Sequence, residues 1–378
     1  MTAPAWLAAR LAALRRLVRP SDPVPAEVAP PGALVVDVAA APSAVELQPA
    51  PSPAGDVGAL VVDVAPAPPK PRRPPVKRRR LVALAKAGGE IATEAAELRE
   101  DLAFQHAVLC QVGLPRSRQA GREFERRNGS ASVLVTAGSL WNGREWVEQP
   151  LPYGAMPRLM LAHMATYAVR HQTRVIPVGE SPTEFLRMLG EKSDSGGERG
   201  KFTTFQRQAK ALAACRLQLG YSLPGRAGTF DGTPVARFEA WLTEGEQRSL
   251  WPAEIELSLD YFETLKTLAV PLDLRALQAL KGSALALDVY TWLAHRLRRV
   301  KPGTGRVTWA ALREQFGQEY RDPRNFRRKF EQALREALAV YPAAKIISVG
   351  SIEPGRSGFE LQESPPPIPT TAGRRVLR

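Results

Sequence analysis

The chain has 378 residues, 44% of them hydrophobic, enough for two domains of ordinary size with some sequence left over as tail. Lys and Arg number 52 against 38 Asp and Glu, and the resulting charge of +14 attracts polyanions, of which nucleic acids are the commonest large ones in a cell. No apolar run reaches the ~18 residues needed to cross a bilayer, and Cys110 and Cys215 make no CxxC pair, which argues against a membrane partner, a disulfide framework or a structural zinc site.

Residues 1–19 form the first predicted element, an amphipathic helix with Trp6, Leu7, Leu11, Leu14, Leu17 and Val18 on one side and Arg10, Arg15, Arg16 and Arg19 on the other. It reads either as a docking peptide or as an unstructured start. No basic region precedes an apolar block, so it is a poor secretion signal and the expected location is the bacterial cytoplasm. Residues 20–90 read as a disordered Pro/Ala-rich linker, because so few aromatics cannot offset the entropy of ordering. Within it Gly32-Ala-Leu-Val-Val-Asp-Val-Ala recurs from Gly58, either as two short extended segments for a partner or as a recent duplication. Lys70, Arg72, Arg73, Lys77, Arg78, Arg79 and Arg80 then make a basic run that could hold DNA phosphates or be a solvated charge run.

Mixed composition resumes at about residue 91, and residues 91–265 are expected to form a first winged-helix-like domain with an N-terminal extension. Residues 94–110 carry helical periodicity. Val133 to Ala137 and Trp146-Val147 flank Trp141-Asn-Gly-Arg-Glu, a tight turn that predicts a strand pair. A helix opening at Pro157 is apolar nearly all round, Arg174-Val-Ile-Pro-Val is a short strand, and Ser181-Pro-Thr-Glu caps a second helix that stops at Gly190. A third helix, residues 201–217, buries Phe202, Phe205, Ala209 and Leu212. Lys201, Thr203, Gln206, Arg207 and Lys210 are left to reach phosphates or base edges in a major groove. Strands around residues 216–221, 235–241 and 254–259 supply a small sheet that could also join two protomers.

The plan repeats in residues 266–362, the second winged-helix domain. Residues 283–300 are a helix, a second helix starts at Arg306-Val-Thr-Trp and ends at Phe316-Gly317, and Asp322-Pro-Arg-Asn caps a third. Phe326, Phe330, Leu334 and Leu338 stripe its core side; Arg324, Arg327, Arg328 and Arg335 point away, with Asn325 among them and Arg321 and Lys329 at the flanks. A hairpin from Lys345 to Leu361 carries Arg356 at its tip, as a wing beside a recognition helix requires. Residues 363–378 read as a disordered tail. The fold class is α+β, mainly helical, with tandem winged helices after a long N-terminal tail.

Phe104-Gln-His-Ala-Val-Leu-Cys-Gln-Val-Gly-Leu-Pro, Leu151-Pro-Tyr-Gly-Ala-Met-Pro-Arg-Leu, Ser195-Gly-Gly and Val270-Pro-Leu-Asp-Leu-Arg-Ala-Leu together resemble RepA-type plasmid replication initiators over residues 102–361. The resemblance implies binding to repeated double-stranded origin sites, local duplex opening, and recruitment of a host initiator, helicase or sliding clamp. It also implies a possible homodimer. The Pro/Ala tail departs from the shared core.

Enzymatic readings are weaker. His106, His163, His171 and His295 never lie one residue apart, which disfavours a rolling-circle metal pair. Ser195 to Lys201 lacks the first glycine and the Ser/Thr of a phosphate loop. His295 and Arg298 with Tyr320 or Tyr341 sketch a tyrosine recombinase. Gln111-Val-Gly-Leu-Pro faintly resembles a clamp-docking peptide. Neither catalysis nor a cofactor is expected; the alternative binding role is a winged-helix transcription regulator.

Overall fold

In a computed structural model of the chain, the structure describes residues 76–94, 100–129, 131–178, 182–190, 200–223, 226–232, 234–237, 254–301, 303, 305–349 and 357–368. The terminal amphipathic helix, the duplicated segment, Lys70 to Arg73, the Ser195 turn and Arg356 lie outside them.

The first helix, α1 (Val76–Thr93), occupies sequence expected to be linker. The linker expectation is therefore corrected over residues 76–90. The Pro/Ala-rich sequence ahead of it conceals a docking face: Leu84 is buried, and Arg80 donates from Nε and Nη2 to Glu336 Oε2 at 3.1 and 3.0 Å. A Cβ on Gly88 would stand 1.7 Å from the Ala339 carbonyl oxygen, so only glycine permits the approach. Arg80 is thereby taken out of the exposed basic run.

The helix expected over residues 94–110 is replaced by β1 (Leu102–His106) and a five-residue helix, α2 (Ala107–Gln111). All five residues of β1 are buried, and burial on both faces removes the alternation that distinguishes strand from helix. His106 caps α2, its Nδ1 accepting from the Val108 amide at 3.2 Å. Val112 and Leu114 are buried, so the clamp-docking reading of this segment is lost.

β2 (Glu123–Asn128) and β3 (Ala131–Thr136) follow, then a short hairpin of β4 (Ser139–Trp141) and β5 (Trp146–Glu148). The Asn142-Gly143 turn is present, with Gly143 at φ 96°, but it joins β4 to β5. Val133 to Thr136 pairs instead with β2 and with β7 (Arg216–Leu223), which in turn pairs with β8 (Arg226–Gly232).

Two runs of elements then share one plan. In the first, α3 (Ala155–His171), β6 (Val175–Pro177), α4 (Pro182–Met188) and α5 (Lys201–Ala214) lead, past the inserted β7–β8 pair, to β9 (Val235–Arg237) and β10 (Glu254–Leu257), with sheet order β6-β10-β9. Here α6 (Leu259–Leu268), β11 (Ala269–Asp273) and α7 (Leu274–Leu280) intervene, β11 pairing antiparallel with β1. In the second run, α8 (Ala284–Arg296), β12 (Arg306–Thr308), α9 (Trp309–Phe316) and α10 (Pro323–Ala339) lead to β13 (Ile346–Val349) and β14 (Gly358–Leu361), with order β12-β14-β13. Both sheets are antiparallel with the last strand in the middle. The fold is α+β. The helix expected to start at Arg306 begins at Trp309, because Arg306 to Thr308 is the edge strand of this sheet.

Buried apolar residues of both runs form one continuous core, so the boundary expected between 265 and 266 falls inside α6 and within shared packing. The C-terminal segment is also packed further than expected: Ile368 and Ser364 are buried and Tyr341 donates to the Pro365 carbonyl at 2.5 Å. The disordered tail is thus corrected over residues 363–368. No helix among the described residues is long and apolar enough to cross a membrane.

Candidate nucleic-acid interface

The cationic face of the second run starts at the cap of α10. The Asp322 carboxylate accepts from the Arg324 and Asn325 amides at 3.0 and 3.1 Å, and Pro323 occupies the first turn, where a missing N–H costs nothing. Phe326 and Phe330 are buried and meet Trp309 edge-on at centroid distances of 6.4 and 5.8 Å. Their spacing turns Arg324, Arg327, Arg328, Lys329 and Arg335 outward, all exposed, with Arg321 exposed just ahead of the helix and Asn325 half-buried. Arg327 Nε donates to Glu331 at 3.0 Å and its guanidinium lies 4.8 Å from the Trp309 ring centre; Arg328 donates to Asn325 Oδ1 at 2.9 Å. These contacts orient two of the cations while leaving the side chains on the surface.

Four of those cations sit in the first two turns, the positive end of the helix dipole, offset by Asp322 at the cap and, for Arg327, by Glu331. Such placement is locally unfavourable. The first amides are already taken by Asp322, so what this end offers a polyanion is its side-chain charge.

In α5, Phe205, Ala209 and Leu212 are buried as expected and Phe202 is half-buried. Arg207 is exposed, whereas Thr203, Gln206 and Lys210 are half-buried; only the backbone of Lys201 is described. Gln208 is buried, accepting from the Tyr153 amide at 2.7 Å. Arg207 lines an open groove of ≈ 380 Å³ whose other walls include Arg118, Arg122, Gln149 and Tyr153. The predicted set therefore falls on two separate helices. Arg118 and Arg122 escaped sequence reasoning because the groove is assembled from the loop before β2, the segment after β5 and α5, which no local pattern connects.

Behind both faces lies a buried ionic cluster. Arg158 grips Asp288 with two hydrogen bonds, Nε to Oδ1 at 2.6 Å and Nη2 to Oδ2 at 2.8 Å, and also donates to the Leu114, Pro115 and Gly154 carbonyls. Arg126 donates to Glu319 at 2.7 Å and to the Gly113 and Leu114 carbonyls. Arg116 donates to the Phe316 carbonyl and forms ion pairs with Asp288 and Glu319. Burial, and then the neighbouring Arg116, lowers Arg126 to about 10, with Asp288 and Glu319 opposing. Burial alone would raise Glu319; the nearby guanidiniums and the Ser117 and Arg116 amides carry it below the usual carboxylate range. The resembling motifs Val112-Gly-Leu-Pro and Met156-Pro-Arg thus supply structural residues that clamp the first run to the second.

Of the two tyrosines named for a recombinase, Tyr320 is half-buried beside Phe326, 5.6 Å between ring centres. Tyr341 is buried, packs on Tyr290 and gives its hydroxyl hydrogen to Pro365, while His295 is buried and held well below its usual pKa by desolvation and by Arg299, Arg298 and Arg296. Among the described residues no group of three or more His, Cys, Asp or Glu is placed to hold a metal ion.

Fold and surface together show two runs with the same three-stranded sheet order, the second turning an arginine-rich helix to solvent and the first exposing Arg207. Residues 151–311 match the family model described as Plasmid encoded RepA protein, which bears out the resemblance read from the sequence. A solved structure titled "Crystal structure of SeMet derivatives of domain2 and domain 3 of RctB" is similar over 67% of this chain and 94% of its own, at 16% identity and TM-score 0.42. Comparison with curated proteins finds no match.

Proposed function

We propose that the chain is a plasmid replication initiator that binds repeated double-stranded origin sites through two winged-helix units, without catalysis. The observation that supports this reading is the recurrence of one strand order, β6-β10-β9 and β12-β14-β13, beside α10 with its arginine face and α5 with Arg207 outward. A helix, strand, helix, helix, strand, strand order with the third helix outward is the arrangement that enters a major groove while the last hairpin flanks it. Gln206, Arg207 and Lys210 in α5, with Arg324, Asn325, Arg327 and Arg328 in α10, are the base-edge or phosphate contacts; Lys201, Thr203, Arg321, Lys329 and Arg356 extend them. Local duplex opening and recruitment of a host initiator, helicase or sliding clamp complete the role, in the bacterial cytoplasm, with a homodimer as a further state.

The test is a titration on DNA flanking the chain's own gene against shuffled DNA of equal composition at two salt concentrations, followed by permanganate footprinting. A specificity ratio retained at high salt, repeated protected sites and unpaired thymines support an initiator. Specific protection without unpaired thymines makes the protein a winged-helix transcription regulator. Equal, steeply salt-sensitive binding to both DNAs overturns sequence reading altogether.

A further inference from the structure

The β4–β5 hairpin displays two large aromatic rings that the core does not use. Trp141 and Trp146 are 48% and 68% exposed, face each other across the hairpin, and stand 5.7 Å apart between ring centres at a 58° tilt. Val147 beside them is also exposed. The platform is held firmly. Asn142 Oδ1 accepts from the Arg144 and Glu145 amides at 2.9 Å each, and the Asn142 amide donates to the Glu145 carbonyl at 3.1 Å. At the root, Gln149 donates to the Gly138 carbonyl and Ala137 to the Arg122 carbonyl, and a Cβ on Gly138 would stand 2.0 Å from the Ala214 carbonyl oxygen at the end of α5.

The hairpin therefore grows from one side of the groove that Arg118, Arg122 and Arg207 line. Glu148 pairs with Arg122 at 2.8 Å, and Glu145 lies in the turn, so the surroundings are not uniformly basic; three arginines against Glu148 still leave the groove cationic. A positive groove that follows a phosphate backbone, ending at rigid exposed rings, is the combination by which proteins hold single strands: charge for the phosphates, stacking for the base faces.

We propose that Trp141 and Trp146 form a stacking platform for the unpaired bases of a DNA strand that enters along the Arg118–Arg122–Arg207 groove. The proposal deepens the DNA-binding reading above, since it places the opened strand beside the first reading helix. Base faces come either from a free single strand or from a distorted duplex step, and the substrates tested separate them.

Fluorescence anisotropy is measured on full-length protein with a labelled oligo-dT strand, a matched duplex, and the same duplex with a central bubble. The expected result is that W141A/W146A binds the single strand and the bubble roughly tenfold more weakly or worse, the stacking contribution of about one base. Duplex affinity stays within about twofold, and W141F/W146F, which keeps two rings, retains most of the single-strand binding. Equal loss on all three DNAs, or no loss on the single strand, overturns the proposal. So does a shift to a smaller species in sedimentation with single-strand binding unchanged, which assigns the rings to a contact between copies. Because the single strand is read separately, failure of origin specificity leaves this result standing, and the converse also holds.

Discussion

Arg158 in α3 and Asp288 in α8 lie 130 positions apart and meet in a buried two-point contact at 2.6 and 2.8 Å. Parallel N–H···O bonds of this kind fix orientation as well as distance. Since each residue belongs to the first helix of its run, the pair sets how one run stands against the other, and with it the relative placement of the two basic helices.

Removing the Asp288 charge leaves Arg158 without a carboxylate partner and Arg116 and Arg126 with Glu319 alone. D288N is expected to cost about 3 to 5 kcal/mol, the range for one partner lost from a buried pair. Urea unfolding followed by circular dichroism measures it. A cost below about 1 kcal/mol would mean that the cluster is not held by charge.

Gly88→Leu should detach α1 without unfolding the rest, because the side chain must displace the Ala339 carbonyl, 1.7 Å from where its Cβ would sit. Limited trypsin digestion is expected to cut at Arg79, Arg80 or Lys86 in the variant well before the remaining body is touched. Simultaneous cleavage throughout would show that α1 is part of the global folding unit.

Acid should destabilise the protein before its carboxylates titrate. Burial lowers His106 and His163 from 6.5 to about 4, and His295 is lowered well below 6.5 by burial and neighbouring arginines. Between pH 6.5 and 4 the unfolded chain therefore binds protons that the folded chain refuses. Stability is at its full value above 6.5 and falls as pH drops toward 4, by on the order of 3 kcal/mol for each of the first two histidines. Thermal melts at pH 7.5, 6.0 and 5.0 check the direction. His106→Gln should flatten the slope.

Alanine at Arg328 is expected to weaken binding to the specific site by about 1 to 3 kcal/mol if its guanidinium reaches a base edge, with little effect on shuffled DNA. Lys329→Ala, at the flank, should lower both affinities together and reduce the salt slope by about one. Filter binding across a salt series distinguishes the two; equal losses for Arg328 on both DNAs make it a phosphate contact.

Helices with a strong one-sided pattern were legible from residues alone. In α10, Asp322, Pro323, Phe326 and Phe330 specify cap, start and buried stripe within a few positions, so the arginine face follows by subtraction. β1 was not legible, because a run buried on both faces has no period to read. The docking of α1 was hidden for another reason: Gly88, Leu84 and Arg80 acquire meaning only opposite Ala339 and Glu336, some 250 positions away.

What the sequence by itself determined, then, is what depends on neighbours in the chain: charge, caps, helical stripes, the Asn142-Gly143 turn and the succession of three helices in each run. Only tertiary structure decided which strand that turn joins, where the linker ends, and that Arg118, Arg122 and Arg207 share a groove beside two exposed tryptophans. Local preferences act through backbone geometry over a few residues, whereas a groove or a buried ion cluster exists only when distant segments exclude water together.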